Sequence, residues 1–410
     1  MRTEPPETAP GYLPLLRVAG FPRLVASLFL ARVAGQMISV GLILFVLSRY
    51  HSPQLAGAAV FLFTFPGLLI SPIAGALLDR YGRTLLVSVD YLTVAVLLFL
   101  MAGLSFAHSL SPAVLLLICG LSSLTGPLGI GGARSLVPSI VPDHLWERAN
   151  ALDSSSDLLS TIIGAPLAGI LVGFAGGEWA LGATAFFFAG AGVAMLTVRD
   201  TGFISQGGPV LAEAWSGLVY VLRNRSLVGL AMTFFAFTIG WGCLVLAIPV
   251  LVLGRLHQGP ATVGYMWGLV GVAGLVGMLI AGRIGTRRRE RQVMAASVLA
   301  MAAFMAAIPF AGSVVLVGAA LLSIALVEAP FDISFLTLRQ RRSDPARFGR
   351  VFAVSVSLNM LGGPLGSAIA GPLIGWSLNG AIWVAAACTA AAALFPLLVI
   401  PAREERREGS

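Results

Sequence analysis

Long apolar stretches alternate with short polar breaks along the whole chain. The apolar runs fall at about 24–48, 55–78, 85–107, 112–133, 154–176 and 179–198, then at about 226–253, 262–282, 292–311, 314–338, 351–376 and 379–400. A hydrocarbon core about 30 Å thick is crossed by about 20 residues of helix. Each run is long enough, so the pattern predicts twelve transmembrane helices and an all-α membrane protein. Barrel strands do not fit, because they run about ten residues and alternate in polarity. One polar break, at 199–225, is longer than the rest. Within it Leu211, Trp215, Leu218 and Leu222 recur at helical spacing beside Glu213, Arg223 and Arg225. That spacing predicts a short amphipathic helix on the membrane surface. The chain is thus expected to divide into a six-helix half at 1–198, a linker at 199–225 and a six-helix half at 226–410.

Composition supports a chain whose solvent is mostly lipid. Only 11% of residues are charged, against about a quarter in soluble domains, and mean hydropathy is +0.92. The net charge of +8 could suggest nucleic acid. Its distribution argues otherwise, because all of the basic residues are arginines and nearly all sit in the breaks between apolar runs. With the N-terminus in the cytoplasm, twenty-three arginines fall in cytoplasmic segments, Arg49 and Arg255 fall outside, and Arg32 lies within the first span. The positive-inside rule then places both termini in the cytoplasm of a bacterial inner-membrane protein. Cys119, Cys243 and Cys388 are remote from one another and form no metal or redox motif. No H-E-x-x-H motif appears, and a phosphate-binding G-x-x-x-x-G-K-[ST] loop is impossible without lysine. Neither a self-contained ATP drive nor an enzyme is expected, and no cofactor.

The two halves echo each other. Gly82 aligns with Gly285, which puts Arg80 opposite Arg283, and Gly164-Ala-Pro166-Leu-Ala-Gly169 parallels Gly362-Gly-Pro364-Leu-Gly-Ser367. Repeats of six spans suit a transporter, because rocking one half against the other exposes a site between them to each side in turn.

After the second span the chain reads Gly75-Ala-Leu-Leu-Asp79-Arg80-Tyr-Gly82-Arg83-Thr84. This resembles the loop signature G-x-x-x-D-R-x-G-R-[KRT] of the major facilitator superfamily. Gly75 would let the second helix approach a neighbour, Gly82 permits a tight turn, and Arg80 and Arg83 would face anionic lipid headgroups. The resemblance implies that Asp79 latches the halves together on the cytoplasmic side by acting on the eleventh helix, where Arg350 is the partner expected. The second half has Gly282 in place of Asp79. The segments Arg134–Pro138 to Arg148–Asn150, Gly217–Arg223, and Arg339–Gln340 to Phe352 resemble the drug and siderophore exporter branch. Exporters of this superfamily carry G-P-x-x-G-G in the fifth span. Gly164, Pro166 and Gly169 form a shifted version that would bend and pack that helix; ordinary small-residue packing explains them equally well.

Ionisable groups inside spans are costly and face a cavity or a partner. Arg32 and Gln36 lie in the first span, Glu328 and Asp332 four apart in the tenth, and Asp90 in the third. The family resemblance implies that the first, fourth, seventh and tenth helices line the path. Arg32, Gln36, Glu328 and Asp332 are therefore the candidates for substrate or proton contact. Glu328 is expected to carry the coupling proton, with Asp332 nearer the cytoplasmic mouth; an ion pair of Glu328 with Arg32 is the structural alternative. Asp90 is expected in a cytoplasmic charge cluster with Asp79 and Arg83. Asp153 and Asp157 are expected to complement the N-terminus of the fifth helix. Phe234, Phe237, Trp241 and Trp267 could form an aromatic wall or simple packing. Relatives in the exporter branch carry an aspartate shortly after an arginine like Arg32; here Arg32-Val-Ala-Gly35-Gln36 has none.

The expected function is secondary active export of a small amphipathic molecule, a drug or metabolite, driven by the proton gradient and carried out by a monomer. Uptake, lipid or siderophore transport, and transport without proton coupling are the alternatives on the same fold.

Overall fold

The computed structural model describes residues 13–198, 219–284, 289–342 and 359–401. These residues form α1 (Phe21–Tyr50), α2 (Pro53–Tyr81), α3 (Arg83–Phe106), α4 (Pro112–Ile140), α5 (Trp146–Ala175) and α6 (Gly177–Leu196). They continue as α7 (Arg225–Val250), α8 (Pro260–Ile284), α9 (Glu290–Ala307), α10 (Val314–Arg342), α11 (Gly362–Trp376) and α12 (Leu378–Ala392). Eleven stretches among the described residues are long and apolar enough to cross a membrane. The described part of α11 has 15 residues, because positions 351–358 of the expected span lie outside the described residues. Most of the linker does too, including Leu211, Trp215 and Leu218; Val221 is buried and Leu222 exposed.

Several helices are longer than hydropathy suggests. α1 and α5 each run 30 residues, about 45 Å at 1.5 Å per residue, which exceeds the hydrocarbon core and extends into the headgroup layer. Local chemistry explains where they stop and start. α1, α3 and the π-helical turn after α7 are followed by His51, His108 and His257, each in a left-handed backbone conformation. The next helices then start with Pro53, Pro112 and Pro260, where a missing N–H costs nothing. Ser52 and Ser111 cap α2 and α4 by accepting from the N–H groups of Leu55 and Val114.

The packing repeats with a step of six helices. Within the first half α1 packs on α5 and α6, α4 on α2 and α3, and α3 on α6. Within the second, α7 packs on α11 and α12, α10 on α8 and α9, and α9 on α12. The halves meet along two seams, α2 on α11 and α5 on α8, which the same step interchanges. α4 and α10 take no substantial part in either seam.

Both seams are tight at one end. A Cβ on Gly57 of α2 would collide with the carbonyl oxygen of Ser367, and one on Gly264 of α8 would sit 2.7 Å from the carbonyl oxygen of Ala165. Backbone therefore meets backbone, as small residues allow in lipid. These contacts lie near the start of α2 and α8 and toward the end of α5 and α11. Toward the opposite ends of α2 and α8, an added Cβ on Gly75, Gly274 or Gly282 meets no described atom within 4 Å. Among the described residues the halves meet backbone to backbone at one end of both seams, and α5 and α8 part toward the other end.

On the parted side the second half is tied by Arg341, which pairs with Glu290 of α9 at 2.8 Å. Arg291 donates to the carbonyl of Ile400 at 2.9 Å, anchoring the chain after α12.

Gly264→Leu should destabilise the purified protein by about 1–3 kcal/mol, the usual cost of overpacking. Gly274→Leu, facing open space, should stay within about 0.5 kcal/mol of the parent. Thermal unfolding in detergent compares the two, and equal midpoints would contradict the seam.

Candidate transport path

Arg32 is held entirely by its own half. α1 and α5 run parallel, so the stripe Arg32, Gln36 meets the stripe Asp153, Asp157, Thr161 at the same four-residue spacing. The guanidinium Nη2 reaches Asp153 Oδ1 and Oδ2, each at 2.9 Å. Nη1 donates to the Asp153 carbonyl at 2.8 Å and to the Ser156 hydroxyl. Nε lies 3.5 Å from Asp157 Oδ1. A turn further on, Gln36 Nε2 donates to Thr161 Oγ1 at 3.1 Å.

This corrects two expectations. The ion pair of Arg32 with Glu328 does not form, because Asp153 and Asp157 occupy the guanidinium. Nor do those acids start the helix. α5 begins at Trp146, which puts them about two and three turns inside it. Sequence reasoning missed them as site residues, although their spacing matched that of Arg32 and Gln36.

Gly164 faces α1, where a Cβ would sit 2.5 Å from Gln36 Cβ. Pro166 and Gly169 face α8: a Cβ on Gly268 would lie 2.5 Å from Pro166 Cγ, and one on Gly169 would lie 2.7 Å from the Pro260 carbonyl. Pro166 lies within a continuous helix. All three residues thus serve close packing, two of them in the seam between halves.

Glu328 and Asp332 share one face of α10, roughly 5–6 Å apart at Cβ by their spacing. Neither has a hydrogen-bond or ion-pair partner among the described residues. Beside them Phe331 and Phe335 stack into Phe234 and Phe237 of α7, at centroid distances of 4.9 to 6.0 Å to Phe234 and 5.3 Å from Phe331 to Phe237. Phe237 is only 2% exposed, so it belongs to this packing and lines no path. Its offset of three residues from Phe234 turns it inward, whereas Phe234 and Trp241, seven apart, keep exposed surface. Trp241 meets Trp267 of α8 edge-to-face at 5.7 Å. The buried indole N–H of Trp267 has no acceptor among the described residues.

Asp90 does not join a cytoplasmic charge cluster. It is buried between α3 and α4, where its carboxylate accepts from the Thr125 hydroxyl and the Gly129 N–H while Oδ1 is left bare. Arg83 donates to the Ser135 carbonyl of α4 at 3.1 Å.

Gly82 is both the end of α2 and the start of α3, at φ 91°, a conformation that costs glycine little. Arg80 is exposed, with its guanidinium 5.3 Å from the Tyr81 ring centroid. Gly75 was expected to admit a close neighbour; a Cβ added there meets no atom of the described residues within 4 Å, and positions 351–358 of the eleventh span lie outside them. Asp79 lies in the last turn of α2, and Arg350 lies outside the described residues.

Comparison with known proteins agrees with this architecture. The sequence profile of the Major Facilitator Superfamily matches residues 24–367 and 230–410. The MFS-type transporter y4rN of Sinorhizobium fredii is 40% identical over 395 residues, covering 95% of this chain and 97% of that protein. The multidrug efflux pump Tap of Mycobacterium tuberculosis is 26% identical over 350 residues, 80% of each chain. The crystal structure of the nucleoside transporter NupG superposes with a TM-score of 0.75 over 93% of this chain and 99% of the other, at 13% identity, and so shares the fold. With a profile match along nearly its whole length and a relative at 40% identity, the chain belongs to the major facilitator superfamily and is a multi-pass transporter of the inner membrane, not an enzyme.

Proposed function

We propose that the chain exports a small amphipathic molecule across the inner membrane in exchange for protons, as a monomer. The observation that carries this reading is the pair Glu328 and Asp332, two acids on one helix face inside a span with no cation beside them among the described residues. Neighbouring carboxylates that cannot both stay ionised in a low-dielectric site hold a proton between them. Taking it up and releasing it requires water from alternate sides, which rocking halves supply. Likeness to a multidrug efflux pump along 80% of the chain supports outward transport.

In this reading both termini and the linker 199–225 are cytoplasmic, as the arginines favour. The sealed seams then close the periplasmic side, and the cavity is open to the cytoplasm for loading. Occupation by cargo and departure of the proton favour closure there. Asp79 and Arg350 latch the closed cytoplasmic face, with Gly82 setting the turn and Arg80 and Arg83 resting against anionic headgroups. Arg32 and Gln36 brace α1 on α5, which carries the seam. The proton gradient is the energy source and no cofactor takes part.

Glu328→Gln in proteoliposomes should abolish substrate-driven proton flux while the protein still binds its substrate. Flux equal to the parent would remove Glu328 from the coupling role. In cells, expression should lower accumulation of an exported fluorescent drug, and a protonophore should restore it. A protonophore that lowers accumulation further would indicate uptake instead.

A further inference from the structure

We infer that the second half carries a site for the phosphate of an anionic phospholipid, built from Arg255 and Asn379 at the membrane face where both seams are tight. The site lies outside the space between the halves and does not depend on the direction of transport.

The two halves carry the same arrangement at this face, with one change. Arg49 lies in the last turn of α1, and Arg255 ends the π-helical turn that follows α7. Each guanidinium reaches to the start of the last helix of its half, α6 or α12. Each half also sets a Phe–Trp pair edge-to-face there, Phe106 with Trp179 at 5.6 Å and Phe310 with Trp383 at 5.8 Å. The change is in what the guanidinium meets. Arg49 lies 3.4 Å from Glu178 Oε1, an oxygen that also accepts from the Ser105 hydroxyl at 2.7 Å. Arg255 Nη1 donates to Asn379 Oδ1 at 3.2 Å and to the Pro309 carbonyl at 3.0 Å, and both acceptors are neutral. Of the eighteen acids in the chain, only Glu178 falls in the described helix ends and turns of this face. The cluster in the first half is therefore neutral, and the one in the second keeps a full positive charge.

That charge has donors to spare. Arg255 is exposed, and its Nε and Nη2 have no acceptor among the described residues. Asn379 is exposed too, and its oxygen faces Arg255, which leaves its amide N–H groups for another acceptor. A guanidinium edge matches two phosphate oxygens at once, and it gives up water more readily than an ammonium does.

The level of the site makes the phosphate a lipid's. Asn379 and Trp383 stand four apart on α12, so the indole shares its face one turn further in, about 6 Å along the helix. Phe310 follows Pro309, whose carbonyl holds the guanidinium. Both supports of Arg255 thus adjoin an aromatic pair that is open to the outside, Phe310 at 76% and Trp383 at 44% exposure. Such rings settle at the headgroup level of a bilayer. Arg255 then stands among the phosphates, with the rings beneath it for the glycerol and the upper acyl chain. A zwitterionic headgroup would bring its own cation, and the second half offers that cation no carboxylate here. An anionic headgroup brings none.

A photoactivatable phosphatidylglycerol and its phosphatidylcholine counterpart, each reactive in the upper acyl chain, test the site in nanodiscs holding the full-length protein. Crosslinked peptides are mapped by mass spectrometry. Phosphatidylglycerol should label 308–316 and 378–386 about fivefold more than phosphatidylcholine, and 104–110 and 177–183 should show no preference. Asn379→Glu should erase the preference by neutralising Arg255 while keeping its tie to α12. Arg255→Gln should erase it as well, and Glu178→Gln should create a matching preference in the first half. Thermal unfolding midpoints show which variants fold; if Arg255→Gln does not, the other two decide. A role for Arg255 in bracing the helices alone predicts no change of lipid preference in any variant. Equal labelling by the two lipids, or a preference that survives Asn379→Glu, would overturn the inference. Loss of labelling in millimolar glycerol phosphate would overturn it too, by marking a site for soluble anions.

Discussion

A charge in the middle of a bilayer has no solvent, and its cost is several kcal/mol unless a partner or a water-filled space is supplied. Arg32 shows how this constraint organises the molecule. It lies well inside α1, and the chain meets its demand with Asp153, Asp157 and Ser156 from a helix more than a hundred residues away. That contact sets α1 beside α5 in a fixed register. The register in turn places Gln36 against Thr161 and Gly164, and it presents Pro166 and Gly169 to the other half. A local electrostatic requirement is thereby joined to the seam between halves.

The second half answers the same constraint differently. Glu328 and Asp332 have no cation beside them among the described residues, and they lie in a face of α10 between the aromatic packing with α7 and the contact with α8. A structural ion pair would hold one geometry, whereas two acids without a base leave a site whose charge can change. The guanidinium of Arg32 is thus fully engaged in the first half, whereas Glu328 and Asp332 in the second have no ionic partner among the described residues. A transporter needs this asymmetry, because binding must be strong enough to capture the cargo and weak enough to release it.

Most of the fold was legible in the sequence, because lipid punishes polarity so evenly that apolar run length alone locates helices. Family identity was legible in Gly75–Arg83, where a one-residue turn at Gly82 leaves little sequence freedom. The site was legible only in part. Asp153 and Asp157 were read as helix-starting acids because the polar stretch before them resembles a loop, whereas α5 continues through it to Trp146. Hydropathy cannot see a helix that runs on into the headgroup layer. The partner of Arg32 was hidden because charge pairing across 121 residues leaves no local trace. Phe237 is open to either reading in the sequence, wall or packing, and its burial makes it packing.

The central claim is that these charged residues line one water-filled space, open to the cytoplasm and sealed from the periplasm. Asp157→Cys, placed in a chain whose Cys119, Cys243 and Cys388 have been replaced by serine, can be labelled with a membrane-impermeant maleimide. The account predicts rapid labelling in inverted membrane vesicles and protection in intact spheroplasts. Labelling only from the periplasmic side, or from neither side, would contradict it.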